Sequence, residues 1–425
     1  MKIRSYLALC AATVAMPALA QTSEKRLSAD VAGTLGYANN PFATTGSDTG
    51  AAFAAVDIRP QLRILRENST LTISAQANVQ QYFNRYNRSD NYSGGLDYAF
   101  RPTEHSNAHL FANVQSSLIG STNDVSNQFA TVTPIDTTTT VTPTVGLVPI
   151  TPINALPVNA GTDIALFGTG ARRRTINGGG DITAVLSARD IVTASAFVVD
   201  SRFSNTGATD STIGAFGDYF GYGGTVGYSR QLSEYVQAGL QGSVGRYDYT
   251  IVGGDTTVYS IQATTSARIN TYWQLNGAVG VSFVNREIGG SEAAVSGSLS
   301  LCRRGIRSVY CLNANRAVQP TGSLGTQIST SAGGSYSYRL TERSNIGASA
   351  DYSRNSNPTG LGDLANTLGT SNEFVRTSVT YDRQLRQRLR FIASASYRKI
   401  FGGNLDRPSD FGGQVGLAIR LGDIR

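Results

Sequence analysis

Few residues of this chain could do covalent or metal chemistry. Its only two histidines are His105 and His109, and only three cysteines occur in 425 residues. A histidine that acts as general base needs a serine or an acidic partner at the reacting surface, and both histidines fall at the short-turn end of one predicted hairpin. No Gly-rich phosphate loop or dense carboxylate metal cluster is present. The sequence therefore predicts no catalytic residues, no metal and no cofactor.

The cysteines indicate an oxidising compartment. Cys10 lies in the N-terminal apolar run, so Cys302 and Cys311 are the two that remain after it. Two nearby cysteines of an exported chain are expected to form a disulfide, here closing residues 303–310. A metal site would need further ligands nearby, and the sequence offers none. We expect this disulfide within a long external loop at residues 288–324.

Within the segments that carry these residues, apolar and polar side chains alternate from one position to the next. From Tyr259 to Ile269 apolar residues occupy every second position, and after a short turn the same alternation runs from Trp273 to Phe283. Successive side chains of a strand point to opposite faces, so this pattern predicts a hairpin with one apolar and one polar face. Each arm has about twelve residues, which matches a tilted strand crossing a bilayer better than the ~5–6 residues of a soluble strand.

Export is indicated by the first 20 residues. Lys2 and Arg4 precede an apolar run that ends in Ala18-Leu19-Ala20, the pattern of a cleaved signal peptide. Its loss lowers the formal net charge from +7 to about +5, because two basic residues leave with it. This mild basic excess is not clustered as nucleic-acid binding requires, so no nucleic-acid partner is expected.

Repetition of the hairpin predicts an all-β fold, a transmembrane antiparallel β-barrel formed by residues 21–425. An opening strand, seven hairpins and a closing strand give about 16 strands, with short periplasmic turns and long extracellular loops. The segment 120–174, rich in Thr, Pro, Gly and Asn, shows no sustained period. Such a loop is either folded into the lumen or external, and the sequence leaves both readings open.

Charged side chains share the polar phase of the strands and are predicted to line a pore. Charges of both signs in a narrow pore select solutes by charge. The alternative is that these residues only pair across neighbouring strands and keep the lumen hydrated. A basic run where the long loop meets the next strand is a candidate for the mouth or constriction, although an exposed basic run is commoner. The predicted pore-lining residues are Arg59, Arg63, Arg268, Arg376, Arg390, Arg398, Arg420, Asp57 and Asp351, and the mouth candidates are Arg172, Arg173 and Arg174.

Four short turns share one pattern, in which a tyrosine precedes the turn in phase with the apolar face. Tyrosines at this level are typical of the aromatic girdle at a membrane interface. The four residues are Tyr98, Tyr228, Tyr336 and Tyr381. With these turns, the signal peptide and the strand count, the chain resembles the β-barrel porin 2 family of Gram-negative outer membranes across nearly the whole mature chain. Its Leu421-to-Arg425 end departs from the aromatic terminus usual for such barrels.

The expected function is a porin-like channel in the outer membrane for passive passage of polar or anionic solutes. The resemblance also implies an association of some members with exopolysaccharide export, so an outlet or accessory barrel for polysaccharide is one alternative. A structural or adhesive barrel acting through its external loops is another. Outer-membrane lipid is the expected partner in each case, and the oligomeric state is left open.

Overall fold

The computed structural model describes residues 23–44, 49–121, 163–164, 166–204, 217–250, 254–287, 290–322, 325–356, 371–401 and 407–422, with the backbone of residue 205. No helix among the described residues is long and apolar enough to span a membrane.

Eighteen long strands make up nearly all of this described part. In chain order they are β1 (Glu24–Ala38), β2 (Ala51–Arg66), β3 (Ser69–Tyr82), β4 (Arg88–Thr103), β5 (Ser106–Leu118), β6 (Ala171–Val185), β7 (Asp190–Asn205), β8 (Tyr219–Gln231), β9 (Val236–Tyr249), β10 (Thr256–Arg268), β11 (Trp273–Arg286), β12 (Gly290–Arg304), β13 (Ser308–Thr321), β14 (Gly325–Thr341), β15 (Ser344–Ser356), β16 (Ser371–Gln384), β17 (Leu389–Phe401) and β18 (Asp410–Gly422).

The strands form one closed barrel. Each strand pairs antiparallel with the next along the chain, and β1 also pairs with β18, with Val31 opposite Ile419. Closure leaves no free sheet edge, so every strand has hydrogen-bonding neighbours on both sides. The N-terminal end of β1 and the C-terminal end of β18 lie at the side of the barrel where the short turns connect the strands. We call this side the short-turn end. The opposite side is called the loop end.

The strand count corrects the sequence prediction of about 16 strands. The predicted opening and closing strands and seven hairpins are present, but residues 290–321 form a further pair, β12 and β13, instead of an external loop. The apolar alternation of β13 is interrupted by Arg316, which lies in the outward phase. Its guanidinium donates to the Val295 carbonyl and the Thr330 hydroxyl on the two neighbouring strands, so a polar side chain is accommodated on that face.

Similar hydrogen bonds from backbone amides to polar side chains stabilise most of the short turns. In the β8–β9 turn the Ser233 hydroxyl accepts from the backbone amides of Tyr235 and Val236. Asn270 makes the same pair of contacts in the β10–β11 turn, to Tyr272 and Trp273. Ser, Thr and Asn side chains stabilise tight turns by such contacts to backbone two or three residues on. Recurrent polar residues at these positions therefore fix the registers of the long strands.

The two faces of the barrel are reversed relative to a soluble protein. Large apolar side chains face outward around the whole wall and are exposed, among them Leu27, Val226, Ile261 and Val279. The inward phase carries Ser, Thr, Gln, Asn and charged residues. Transmembrane barrels show this distribution, because lipid surrounds the outside while water fills the inside.

Candidate functional site

The loop end of the lumen is narrowed by the last part of the segment between β5 and β6. Its described residues 163–164 and 166–170, which we call the crossing segment, begin with a 3₁₀ turn and run into β6. They contact inward residues of β16 and β17, on the opposite wall. The described end of the predicted long loop 120–174 therefore lies inside the barrel, while residues 122–162 are outside the described part.

A buried ion pair attaches the crossing segment to its own wall. Asp163 accepts a hydrogen bond from Arg173 of β6 at 2.7 Å, and both side chains are at least 95 % buried. The second carboxylate oxygen of Asp163 accepts from the backbone amide of Gly322, just after β13, at 2.9 Å. Since β6 and β13 lie far apart around the barrel, this single carboxylate joins two distant parts of the wall.

A second buried arginine joins other chain segments at the loop end. Arg398 of β17 donates to Asp410 of β18 at 2.8 Å and to the Gly120 carbonyl at 2.7 Å. It also donates to the carbonyls of Asn40 and Pro41 in the β1–β2 loop, at 3.0 and 2.6 Å. One guanidinium therefore joins four separate segments of the chain, and its fixed fork geometry suits such a role better than a lysine would.

Apolar packing adds to these contacts. We call the crossing segment, together with Arg173, Arg398 and the residues packed against them, the closure. Phe167 of the crossing segment meets Phe374 of β16 edge to face, with ring centroids 5.5 Å apart, in a buried cluster that includes Ile119, Ile164 and Ile400. Aromatic pairs prefer this geometry. The cluster means that the loop end is narrowed by an apolar core as well as by ion pairs.

Glycine is required at one position of this closure. Gly168 has φ of +72°, and a Cβ there would approach the Ala43 carbonyl oxygen to 2.6 Å. Arg407, in the segment after β17, donates to the same carbonyl at 3.0 Å. Burial lowers the pKa of the Arg407 guanidinium below its usual value, because desolvation disfavours the charged form.

All nine predicted pore-lining residues lie in the inward phase of their strands. Asp57 is held by Arg59, Gln76 and Asn78, and Asp351 lies opposite Arg376 in the register of β15 and β16. Arg398 belongs to the closure, Arg376 and Asp351 lie at its register level on the neighbouring strands β16 and β15, and the others line the wall below it. Their role in conduction stays a prediction.

The three mouth candidates do not act together. Arg173 points inward and belongs to the closure, whereas Arg172 and Arg174 lie in the outward phase of β6. Arg172 donates to the Ser116 hydroxyl at 3.2 Å and pairs with Asp90 on the outer face near the loop end. Adjacent strand residues point to opposite faces, so the three arginines do not form one inward element, and a mouth or constriction role for the run stays a prediction.

The inner wall between the two ends is polar. Gln241 donates to Gln262, which donates in turn to Ser296, so a ladder of amides and hydroxyls crosses three strand pairs. Nearer the short-turn end, the ring nitrogens of His109 face Asp181 at 3.0 Å and Asp97 at 2.7 Å. Because a neutral imidazole has only one N–H, this arrangement is best satisfied by a charged His109 bridging two carboxylates. Within the described residues no group of three His, Cys, Asp or Glu is placed to hold a metal.

The four predicted girdle tyrosines all face outward near the short-turn end. Tyr228 donates to Asp190 at 2.6 Å, and Tyr336 stacks on Tyr338 with centroids 6.3 Å apart. Their contact with a membrane interface stays a prediction. Inward tyrosines are different: Tyr82, Tyr219 and Tyr247 are buried in apolar clusters of the wall, and are not exposed surfaces along which a sugar chain could slide.

Cys302 and Cys311 are brought together, but at a place the sequence did not indicate. They lie opposite each other on β12 and β13, with Cα atoms 4.1 Å apart and their sulfur atoms joined. Both face inward beside the short turn 305–307, so the prediction of an external loop around them is wrong. The oxidised state in the mature protein stays a prediction.

Several closure residues had no signal in the sequence. Asp163 lies in the aperiodic segment, and Asp410 and Glu292 stand at strand ends, where alternation says nothing about partners. Arg286 of β11 pairs with Glu292 at 3.1 Å and is also buried. Only the pairing of distant strands brings such groups together.

Comparison with known proteins gives no family. No protein-family model matches the chain, and no curated protein matches its sequence. The resemblance to the β-barrel porin 2 family therefore stays a prediction.

Solved outer-membrane proteins of Pseudomonas aeruginosa are similar to the chain over nearly its full length. OprD covers 95 % of this chain and 96 % of its own, with 8 % identity and a TM-score of 0.44. OccK2 (OpdF) covers 95 % and 99 %, with 11 % identity and a TM-score of 0.47, and its complex with glucuronate gives 0.46 at 11 % identity and coverages of 94 % and 98 %. With TM-scores below 0.5, these likenesses carry no residue role or substrate to this chain. The class of the molecule, a closed antiparallel β-barrel, follows from its own strand pairing.

Proposed function

We propose that this chain is a channel of the Gram-negative outer membrane through which small polar solutes, including anions, pass by diffusion. The observation that carries the proposal is the closed barrel of eighteen strands with an apolar outer face and a polar inner face. Side chains fill the interior of a barrel of about 8 strands, whereas barrels of about 16–18 strands leave an aqueous channel.

The closure at the loop end would limit which solutes enter that channel. A solute entering from this side meets the crossing segment and the buried cations Arg173 and Arg398, which are already paired with Asp163 and Asp410. Below it the wall offers amides, hydroxyls and inward arginines such as Arg63 and Arg268, which have no carboxylate partner among the described residues. The loop end then restricts size, while the wall beyond it favours solutes that carry hydrogen-bonding groups or negative charge.

Outer-membrane location and cleavage of residues 1–20 belong to the same proposal. They are supported by the outward apolar band and by the signal-peptide pattern, which lies outside the described residues. A polysaccharide outlet and a structural or adhesive barrel stay predictions, since no contact in the described part of the chain favours either. The oligomeric state is left open.

Single-channel conductance of the purified mature chain in planar bilayers tests the proposal. The intact protein is compared with a variant lacking residues 125–165. We expect steady conductance in both, with a larger value in the variant because the closure is weakened. Conductance that appears only after deletion would make the segment a plug and favour a channel opened by a partner. Silence of both proteins, with folding shown by heat-modifiable migration, would reject the channel.

A further inference from the structure

The short-turn end of the lumen carries a set of inward arginines that the sequence only partly indicated. One arginine near the short-turn end of each of eight strands faces inward, by alternation with outward apolar neighbours. We call this set the arginine collar. It consists of Arg26, Arg63, Arg101, Arg268, Arg304, Arg339, Arg390 and Arg420 on β1, β2, β4, β10, β12, β14, β17 and β18.

Among the described residues, inward carboxylates in this region are fewer than the arginines of the collar, and each is already engaged. Glu24 pairs with Arg26 at 2.9 Å. Asp30 and Asp382 both approach Arg390, at 3.8 Å each. Asp97 and Asp181 both contact His109.

Six members of the collar consequently have no carboxylate within ion-pair distance among the described residues. All six are exposed, and only Arg101 donates to another side chain, at 3.4 Å to Asn107. The six are Arg63, Arg101, Arg268, Arg304, Arg339 and Arg420. Guanidinium groups left accessible in this way are ready donors for carboxylate or phosphate oxygens.

Two members of the collar lie close enough to meet one ligand with more than one negative charge. Arg390, Arg420, Arg26 and Arg63 lie on four consecutive strands where β18 meets β1, but Arg420 is opposite Asp30 and Arg390 is opposite Ala418, so the four Cα atoms span roughly 25 Å at the usual strand separation and rise per residue. Arg26 and Arg63 are direct register partners, and like charges opposite each other repel. An anion bound between them would remove that repulsion.

Orientation decides which anions can reach the collar. Arg303 and Arg383 stand at the same level but face outward, beside Trp273 and Phe391, where lipid headgroups would meet them. The collar faces the lumen, so a lipid or the surface of an acidic protein would not reach its inner groups. A solute inside the mouth would.

We propose that the arginine collar is a binding site for small multivalent anions, of the polycarboxylate or phosphate class, at the short-turn mouth of the channel. The inference rests on the proposed function, because such a solute reaches the collar through the lumen. Bound there, an anion is concentrated at one mouth of the channel.

Titration calorimetry of the detergent-solubilised protein with tripolyphosphate and with citrate tests the site without requiring conduction. We expect saturable binding of both that weakens steeply with added salt, and no binding of sucrose. The variant Arg268→Gln/Arg304→Gln/Arg339→Gln should bind at least tenfold more weakly. The matched variant Arg230→Gln/Arg303→Gln/Arg383→Gln, which removes three outward cations at the same level, should bind as the unchanged protein does.

Equal binding by the two triple variants, or loss in the outward variant alone, would overturn the inference. Citrate and tripolyphosphate affinities decide between carboxylate and phosphate preference. Folding of each variant is checked by heat-modifiable migration. Because calorimetry reads binding alone, absence of anion binding in a conducting protein rejects the collar, whereas anion binding by a protein that does not conduct rejects the channel.

Discussion

The inward arginines at the two ends of the barrel differ in burial and in pairing with carboxylates. At the loop end Arg173, Arg286 and Arg398 are buried, with side chains 4–7 % exposed, and each has its own carboxylate. At the short-turn end most of the arginine collar is exposed and has no carboxylate partner in the described part of the chain. The same residue type is therefore structural at one end and available for ligands at the other.

Burial explains the difference. A charge taken out of water is costly unless a partner and further hydrogen bonds compensate it, so the buried arginines of the loop end are held by carboxylates or, for Arg407, by a backbone carbonyl. An exposed cation keeps its hydration and needs no partner. The comparison indicates that replacing an arginine should affect stability at the loop end and anion binding at the short-turn end.

The largest effect on stability is expected for Arg398→Met. The change leaves Asp410 without its cation and removes the donors to the Gly120 and Pro41 carbonyls, so we expect a loss of about 3–5 kcal/mol in the free energy of unfolding. Denaturant unfolding in lipid vesicles measures it. Arg420→Met, on the neighbouring strand and exposed in the collar, is the matched control and should change stability by about 0.5 kcal/mol or less. Similar losses in both variants would contradict the comparison.

A smaller effect is expected for Phe167→Ala. Removing the ring leaves a cavity against Phe374 and Ile400 and should weaken the closure by about 3 kcal/mol, which releases the crossing segment before the barrel unfolds. Protease cleavage near residue 167 should become faster, and single-channel conductance should rise. Phe111→Ala on the inner wall near His109 serves as control. If conductance is unchanged in the Phe167 variant, this cluster does not limit the pore.

The predicted disulfide between Cys302 and Cys311 at the short-turn end should contribute less to the free energy of unfolding. Replacing both Cys302 and Cys311 with serine removes a constraint on a short loop, worth about 2–3 kcal/mol in the chain-entropy view. Reductant added to the unchanged protein should lower the unfolding midpoint to the same value. Thiol labelling of the unreduced, denatured protein checks the starting state, because labelled cysteines there would show that no disulfide forms.

The smallest effect is expected at the exposed surface of the short-turn end. Tyr228→Phe removes the hydrogen bond to Asp190, but both groups are in contact with water, so hydration replaces the lost bond. The unfolding midpoint should not change measurably. Tyr336→Phe, whose hydroxyl has no side-chain acceptor among the described residues, is the comparison. A clear destabilisation by the Tyr228 change alone would show that this pair matters more than its exposure suggests.

Alternation of polarity was enough to predict much of the fold. It places Leu27 and Ile261 outward and Arg59 and Arg268 inward, because side-chain direction in a strand is a local property with a period of two. Short polar turns such as the one at Ser233 are local for the same reason. Where a polar residue interrupts the period, as Arg316 does in β13, the local signal was lost and two strands were missed.

Partners across the lumen were decided only by the tertiary structure. Nothing near Arg398 in the chain indicates that it would hold Gly120 and Asn40, and nothing near Asp163 indicates Gly322. These contacts exist because the strands close into a ring, which brings residues hundreds of positions apart to one level of the wall. The sequence by itself determined which face each side chain occupies, whereas ring closure determined which inward arginines are buried with a carboxylate and which stay open to solutes.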